Sequence, residues 1–196
     1  MSGTAQKLVQ SATIEELLAM PEEDRYEIVD GALEPKEAAR GPHGRAQARA
    51  GHLLSPYDRR GGGPPERPGG YWFATEPQIL FTPQQVRRPD VVAWRRERMP
   101  EMPADVPITI LPDWICEILS PSNAGTDTVL KMNLYHQCQV GHYWILDPQR
   151  ETLTVYRWTR EGYLYVLGAC RGDRVRAEPF EAIDLQVGVF FGDDEA

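Results

Sequence analysis

Three side chains in this sequence have the types and spacing for phosphoryl-transfer chemistry: Asp90, Glu117 and Lys131. Asp90 follows Pro89 and opens an apolar run, Val91-Val92-Ala93-Trp94. Glu117 interrupts a second apolar run, with Trp114-Ile115-Cys116 before it and Ile118-Leu119 after it. An ionised carboxylate in such a run is costly unless it is paired, protonated or bound to a metal. Two acids at neighbouring strand ends can share a Mg²⁺ ion, because hard cations take carboxylate oxygens and keep waters for a substrate. A lysine beside them can orient or deprotonate water and neutralise charge developing on a phosphate. Each residue also has a plainer reading. Glu117 could be a buried acid satisfied by an arginine, and Asp90 a turn acid after proline. Lys131 could be paired with Asp127 four residues upstream, an exchange worth only about 0.2–0.5 kcal/mol.

The elements that must position these groups centre on residues 111–148. Trp114 to Leu119 reads as a strand buried on both faces, since polar alternation is missing and aromatic and β-branched residues are rich. Asp127 to Gln139 reads as a helix with Leu130, Leu134 and Cys138 on one stripe, ended near Gly141. The run HYWILD then returns as a strand. Strand–helix–strand favours a parallel, right-handed crossover.

Before this unit, Thr13 to Met20 reads as a short helix with a Thr13/Glu16 capping box, stopped by Pro21. Asp30-Gly31 marks a tight hairpin within Tyr26 to Leu33, with Glu27 and Val29 on one face and Tyr26 and Ile28 on the other. Residues 34–41 read as polar loop. His43 to Tyr57 reads as a helix with Ala46, Ala50, Leu53 and Leu54 inward. The Gly/Pro-rich stretch from Arg59 to Gly70 is expected to be an exposed, mobile excursion, and residues 97–111 a loop over the sheet edge. Tyr71 to Phe81 reads as a strand pair or one bent strand, with Pro77 at the bend. After the central unit, LTVYRW and YLYVLG form a hairpin, and Phe180 to Phe191 closes the core. The class is α/β with a mixed sheet.

A chain of 196 residues suits one domain, with short tails at 1–12 and 192–196. No apolar run reaches the roughly 18 residues of a membrane span, and MSGTAQKLVQ has no signal-peptide core, so a cytoplasmic location is expected. Three cysteines without a CxxC pair point to reduced thiols rather than zinc. The net charge of −8 argues against a nonspecific DNA-coating protein. Charge is uneven, however. Residues 40–98 hold eleven arginines against five acids, a segment that could follow phosphates or form a solvated surface. Lysine is rare (Lys7, Lys36 and Lys131), which sets Lys131 apart from ordinary surface charge. No Gly-rich phosphate loop, Rossmann fingerprint or nucleophile elbow is present. His136 and His142 have no metal-ligand spacing with a Cys or Asp.

The ordered series RYEIVDG, His43, RPDVVAW, ICEILSPS, Asp127-x-x-x-Lys131-x-x-x-Tyr135 and VGHYWILDP resembles the Uma-type family of restriction endonucleases. That family is similar in fold to the PD-(D/E)XK nucleases. The resemblance runs from about Thr13 to about Phe191, and its specificity lies in the series, not in any single motif. It implies a restriction endonuclease-like fold, a mixed central β-sheet flanked by helices. The broader pattern is Pro-Asp, then an acid, any residue and a lysine. Pro89-Asp90 and Glu117 fit, but Leu119 stands at the lysine position, and Lys131 matches the place from which the Uma-type family supplies its lysine.

The resemblance further places Glu27 near the metal. It implies a Mg²⁺- or Mn²⁺-dependent enzyme acting on DNA, with Glu27, Asp90, Glu117 and Lys131 catalytic and the three acids as metal ligands. His43 is expected at the surface, or else touching substrate or supporting a residue that does; Tyr135, on the Lys131 face, in core packing; and Glu76 facing solvent, or else reaching the site from its strand. Cutting both strands from one such site calls for two events or a homodimer, for which apolar edge strands are suited. The alternative from another class is an idle nuclease fold that binds DNA or protein. Hydrolysis of small phosphodiesters is a third reading.

Overall fold

The computed structural model describes residues 11–120 and 125–195. The segment MSGTAQKLVQ, and Pro121 and Ser122 of the ICEILSPS motif, lie outside the described residues. In chain order the elements are α1 (Ile14–Leu18), β1 (Tyr26–Val29), β2 (Ala32–Pro35), α2 (Gly41–Leu53), β3 (Tyr71–Thr75), β4 (Ile79–Thr82), β5 (Gln85–Arg87) and β6 (Val91–Arg95). There follow β7 (Trp114–Ile118), α3 (Thr126–Gln137), β8 (His142–Asp147), β9 (Thr152–Thr159), β10 (Gly162–Cys170), β11 (Arg174–Val175), β12 (Leu185–Gln186) and α4 (Val187–Phe190).

The large sheet has six strands in the order β10-β9-β8-β7-β6-β3. The pair β7–β8 is parallel and every other pair in it is antiparallel, so the sheet is mixed as expected. Its side chains alternate between two cores. Val91, Ala93, Trp114, Cys116 and Trp144 pack with Ala46 and Ala50 of α2 and with Phe180 and Phe190. Val92, Trp94, Ile115, Tyr143 and Ile145 pack on the other face with Leu134 and Tyr135 of α3. Glu117 therefore emerges on the α3 face, with Ile115 two residues before it.

A smaller antiparallel sheet, β2-β1-β5-β4, carries Glu27. The sequence patterns point to the β1–β2 hairpin and to a strand within Tyr71–Phe81, but not to β5, and do not show that β4 leaves the large sheet. The chain turns at Glu76, whose φ of +51° is in the left-handed region, so β3 and β4 are a strand pair split between two sheets. The Asp30-Gly31 turn is a hairpin with positive φ at both residues, 48° and 81°. The α1 capping box is present, with Thr13 and Glu16 exchanging hydrogen bonds.

Two local expectations change. Leu130 is exposed and so is not on the buried stripe of α3, which runs through Leu134 and Tyr135. Gln139, with φ +56°, takes the left-handed turn after α3 in place of Gly141. The acidic tail is docked, with Asp193 paired to Arg171 and Glu195 to His52 and Arg49.

Candidate active site

One step beyond the last β6–β7 pair, Val91 with Cys116, the register sets Asp90 across from Glu117. Asp90 is 2% exposed and Glu117 3%. Asp90 Oδ2 accepts the Ile118 N–H at 2.8 Å, which locks the acid against β7. The same oxygen lies 3.1 Å from His43 Nε2 on α2, and Lys36 Nζ donates to Asp90 Oδ1 at 2.7 Å. Glu117 meets α3: Lys131 Nζ donates to its Oε2 at 3.0 Å and the Tyr135 hydroxyl to its Oε1 at 2.6 Å. Lys131 and Tyr135 are four residues apart, so one helix face delivers both donors to one carboxylate. Lys131 also pairs with Asp127 at 3.0 Å.

These neighbours drive the two acids apart. Burial alone would raise the Asp90 carboxyl, but the His43 hydrogen bond and the Lys36 charge outweigh it and hold Asp90 well below the ordinary carboxylate range. Burial pushes Glu117 up to about 7, with the Asp90 charge adding and Lys131 opposing. Burial works against the charge on Lys131, yet Glu117, Asp127 and Asp90 overcome it and hold its amine above the usual lysine value. Lys131 is thus built as a fixed cation.

Glu27 lines the same pocket of about 620 Å³ as Asp90, Glu117, Lys131, Lys36 and His43. Its Oε1 accepts the Arg88 N–H, and Arg87 lies 3.6 Å from its Oε2. The structure therefore brings Glu27, Asp90, Glu117 and Lys131 to one cavity. Among the described residues no three His, Cys, Asp or Glu side chains form a ready-made metal cage. The donor set that fits a cation is the Asp90–Glu117 pair. Asp90 Oδ1 and both Glu117 oxygens have one protein donor each and keep a further lone pair, whereas Asp90 Oδ2 already faces both the Ile118 N–H and His43 Nε2. Mg²⁺ is commonly held by one or two carboxylates plus waters and substrate oxygens.

Four further residues line this site or pair with the groups that do. Tyr135 is a hydrogen-bond donor to Glu117 as well as core. Glu76 is buried, not solvent-facing; it is paired with Arg25 at 2.8 Å and accepts Gln47 Nε2 at 3.2 Å. His43 bonds Asp90. Lys36, in the loop after β2, was marked only by its rarity, and its partner Asp90 lies 54 residues away. His142 pairs with Glu178, away from the site.

The site thus sits on a six-stranded mixed sheet, with two buried acids at neighbouring strands and a lysine on the crossover helix. A crystal structure described as "a putative nuclease belonging to DUF820 from Anabaena variabilis" superposes with a TM-score of 0.66 at 21% identity, over 92% of this chain and 97% of that one. The fold is restriction endonuclease-like. The family model Uma2, described as "Putative restriction endonuclease", matches residues 14–188, and the chain belongs to that family. No curated protein matches it.

Proposed function

We propose that this protein is a Mg²⁺- or Mn²⁺-dependent endonuclease that hydrolyses DNA phosphodiester bonds. The observation that carries the reading is the convergence of Asp90, Glu117 and Lys131 in one pocket, with Glu117 gripped by Lys131 and Tyr135. Asp90 and Glu117 would hold the ion, with Glu27 assisting from the pocket wall. When bound, such an ion acidifies water and draws charge from a phosphoryl oxygen. Lys131 offers its positive charge to the attacking water or to the charge growing on the phosphate. Asp127 holds the lysine from its far side, and Tyr135 fixes the Glu117 carboxylate.

No helix among the described residues is long and apolar enough to cross a membrane, which is compatible with a cytoplasmic enzyme meeting DNA. One site cuts one strand per event. Pairing of two copies through the edge strand β10, which exposes Leu164 and Tyr165, would bring a second site to the duplex.

A second reading has its own support. All four oxygens of Asp90 and Glu117 already have protein donors, as an idle nuclease fold that only binds DNA or protein would have. Incubating supercoiled plasmid and a single-stranded oligonucleotide with the protein in Mg²⁺, Mn²⁺ or EDTA separates the two. Metal-dependent nicking supports the enzyme. Metal binding without cleavage of any phosphodiester, an aryl phosphodiester included, supports the idle module.

A further inference from the structure

Asp90 and Glu117 are each paired with a lysine, and the two lysines are not held alike. Lys131 lies between Glu117 and Asp127, each at 3.0 Å, so it keeps one acid if it gives up the other. Lys36 reaches Asp90 Oδ1 at 2.7 Å and the Arg88 carbonyl at 2.6 Å. Its next acid is Glu76, at 3.9 Å. The Lys36 backbone is fixed independently, its N–H donating to the Arg25 carbonyl at 3.1 Å, so the side chain can swing without moving the loop.

We propose that Lys36 is a resident counter-ion of Asp90 that a divalent cation must displace, and that Glu76 receives it. This inference rests on the metal-dependent reading of the site. In the absence of metal, Asp90 without Lys36 would keep only the Ile118 N–H and His43 on one oxygen beside the buried Glu117, a costly arrangement that Lys36 and Lys131 offset. A cation sharing Asp90 with the Lys36 ammonium feels its full repulsion at short range in a poorly screened pocket. Lys36 therefore weakens metal binding and sets the concentration at which the site fills. Glu76, buried and already facing Arg25 and Gln47, is the nearest place where the displaced ammonium keeps an acid.

The test is Mn²⁺ binding followed by calorimetry and by the shift in melting temperature, with wild type, Lys36→Met and Lys36→Arg compared without DNA. Lys36→Met should bind Mn²⁺ at least about tenfold more tightly, since one unit charge a few ångströms away is removed. It should also melt lower than wild type in EDTA and gain more from added Mn²⁺. Lys36→Arg keeps the charge and should stay near wild-type affinity. Equal or weaker binding by Lys36→Met than by wild type, with both binding, overturns the counter-ion role and leaves the metal site standing. Saturable binding by none of the three overturns the metal reading and the counter-ion role with it. If Lys36→Met does not fold, Lys36→Gln tests the same change in charge.

Discussion

Asp90 Oδ2 accepts the backbone N–H of Ile118 at 2.8 Å, and this bond ties the acid entering β6 to the residue that follows Glu117. The two carboxylates are therefore not set by side-chain rotamers alone. Their spacing is pinned to the ladder between two buried strands, the kind of rigid support a site needs to hold its geometry.

Replacement of Asp90 should separate structure from chemistry. Asp90→Asn keeps an oxygen for the Ile118 N–H, whereas Asp90→Ala leaves that buried donor unpaired, a penalty of about 1–3 kcal/mol. Urea unfolding should therefore rank Asp90→Ala below Asp90→Asn by roughly that amount. Both should lose DNA cleavage. Equal stability of the two variants would contradict the structural role of the Ile118 bond.

Tyr135→Phe removes one hydroxyl and leaves the ring packed between Phe81 and Tyr143. The buried Glu117 carboxyl loses its 2.6 Å donor. Stability should fall by roughly 1–3 kcal/mol in urea titrations, the range for a hydrogen bond to an ionisable group. Cleavage should fall several-fold without vanishing, because Lys131 still holds Glu117. A variant as active and as stable as wild type would return Tyr135 to core packing alone.

Lys131 and Asp127 should differ in weight. Lys131→Ala removes the cation facing the pocket and should reduce cleavage by about two orders of magnitude or more, an effect of the size seen when a transition-state donor is lost. Asp127→Asn removes a half-exposed partner four residues away and should change stability by no more than about 0.5 kcal/mol. Its effect on cleavage should be a small decrease. Unchanged cleavage by Lys131→Ala would remove the lysine from the chemistry.

Away from the site, His142 gives a pH-dependent term in stability. Burial lowers its pKa below the usual 6.5, with Glu178 opposing. The unfolded chain then binds the proton more readily than the folded one, so stability is lost as pH falls below about 6.5 towards the folded value. The variant His142→Gln should show a flatter stability profile across that acidic window by urea unfolding. A profile as steep as that of wild type would rule His142 out as its source.

Much of this was legible in the chain because local chemistry fixed it. The Asp30-Gly31 turn, the Thr13 capping box and the Leu111–Pro148 unit rest on neighbours in sequence, and the structure has them. Asp90, Glu117 and Lys131 stood out because apolar strands and one helix surround them. Lys36 and Glu76 did not, since their contacts with Asp90 and Gln47 join distant segments through a second sheet that no periodicity announces. Leu130 misled because an apolar residue at helical spacing looks inward, yet at its position α3 faces solvent.

Nicking of supercoiled plasmid by wild type and by Glu117→Gln, in Mn²⁺ and in EDTA, tests the central claim most directly. Glutamine keeps the size of the side chain and one acceptor oxygen but cannot ionise, and circular dichroism would establish that both proteins are folded. The metal-dependent account predicts nicking by wild type in Mn²⁺ alone and its loss in folded Glu117→Gln. Equal nicking by the two proteins, or nicking by wild type that survives EDTA, would contradict it.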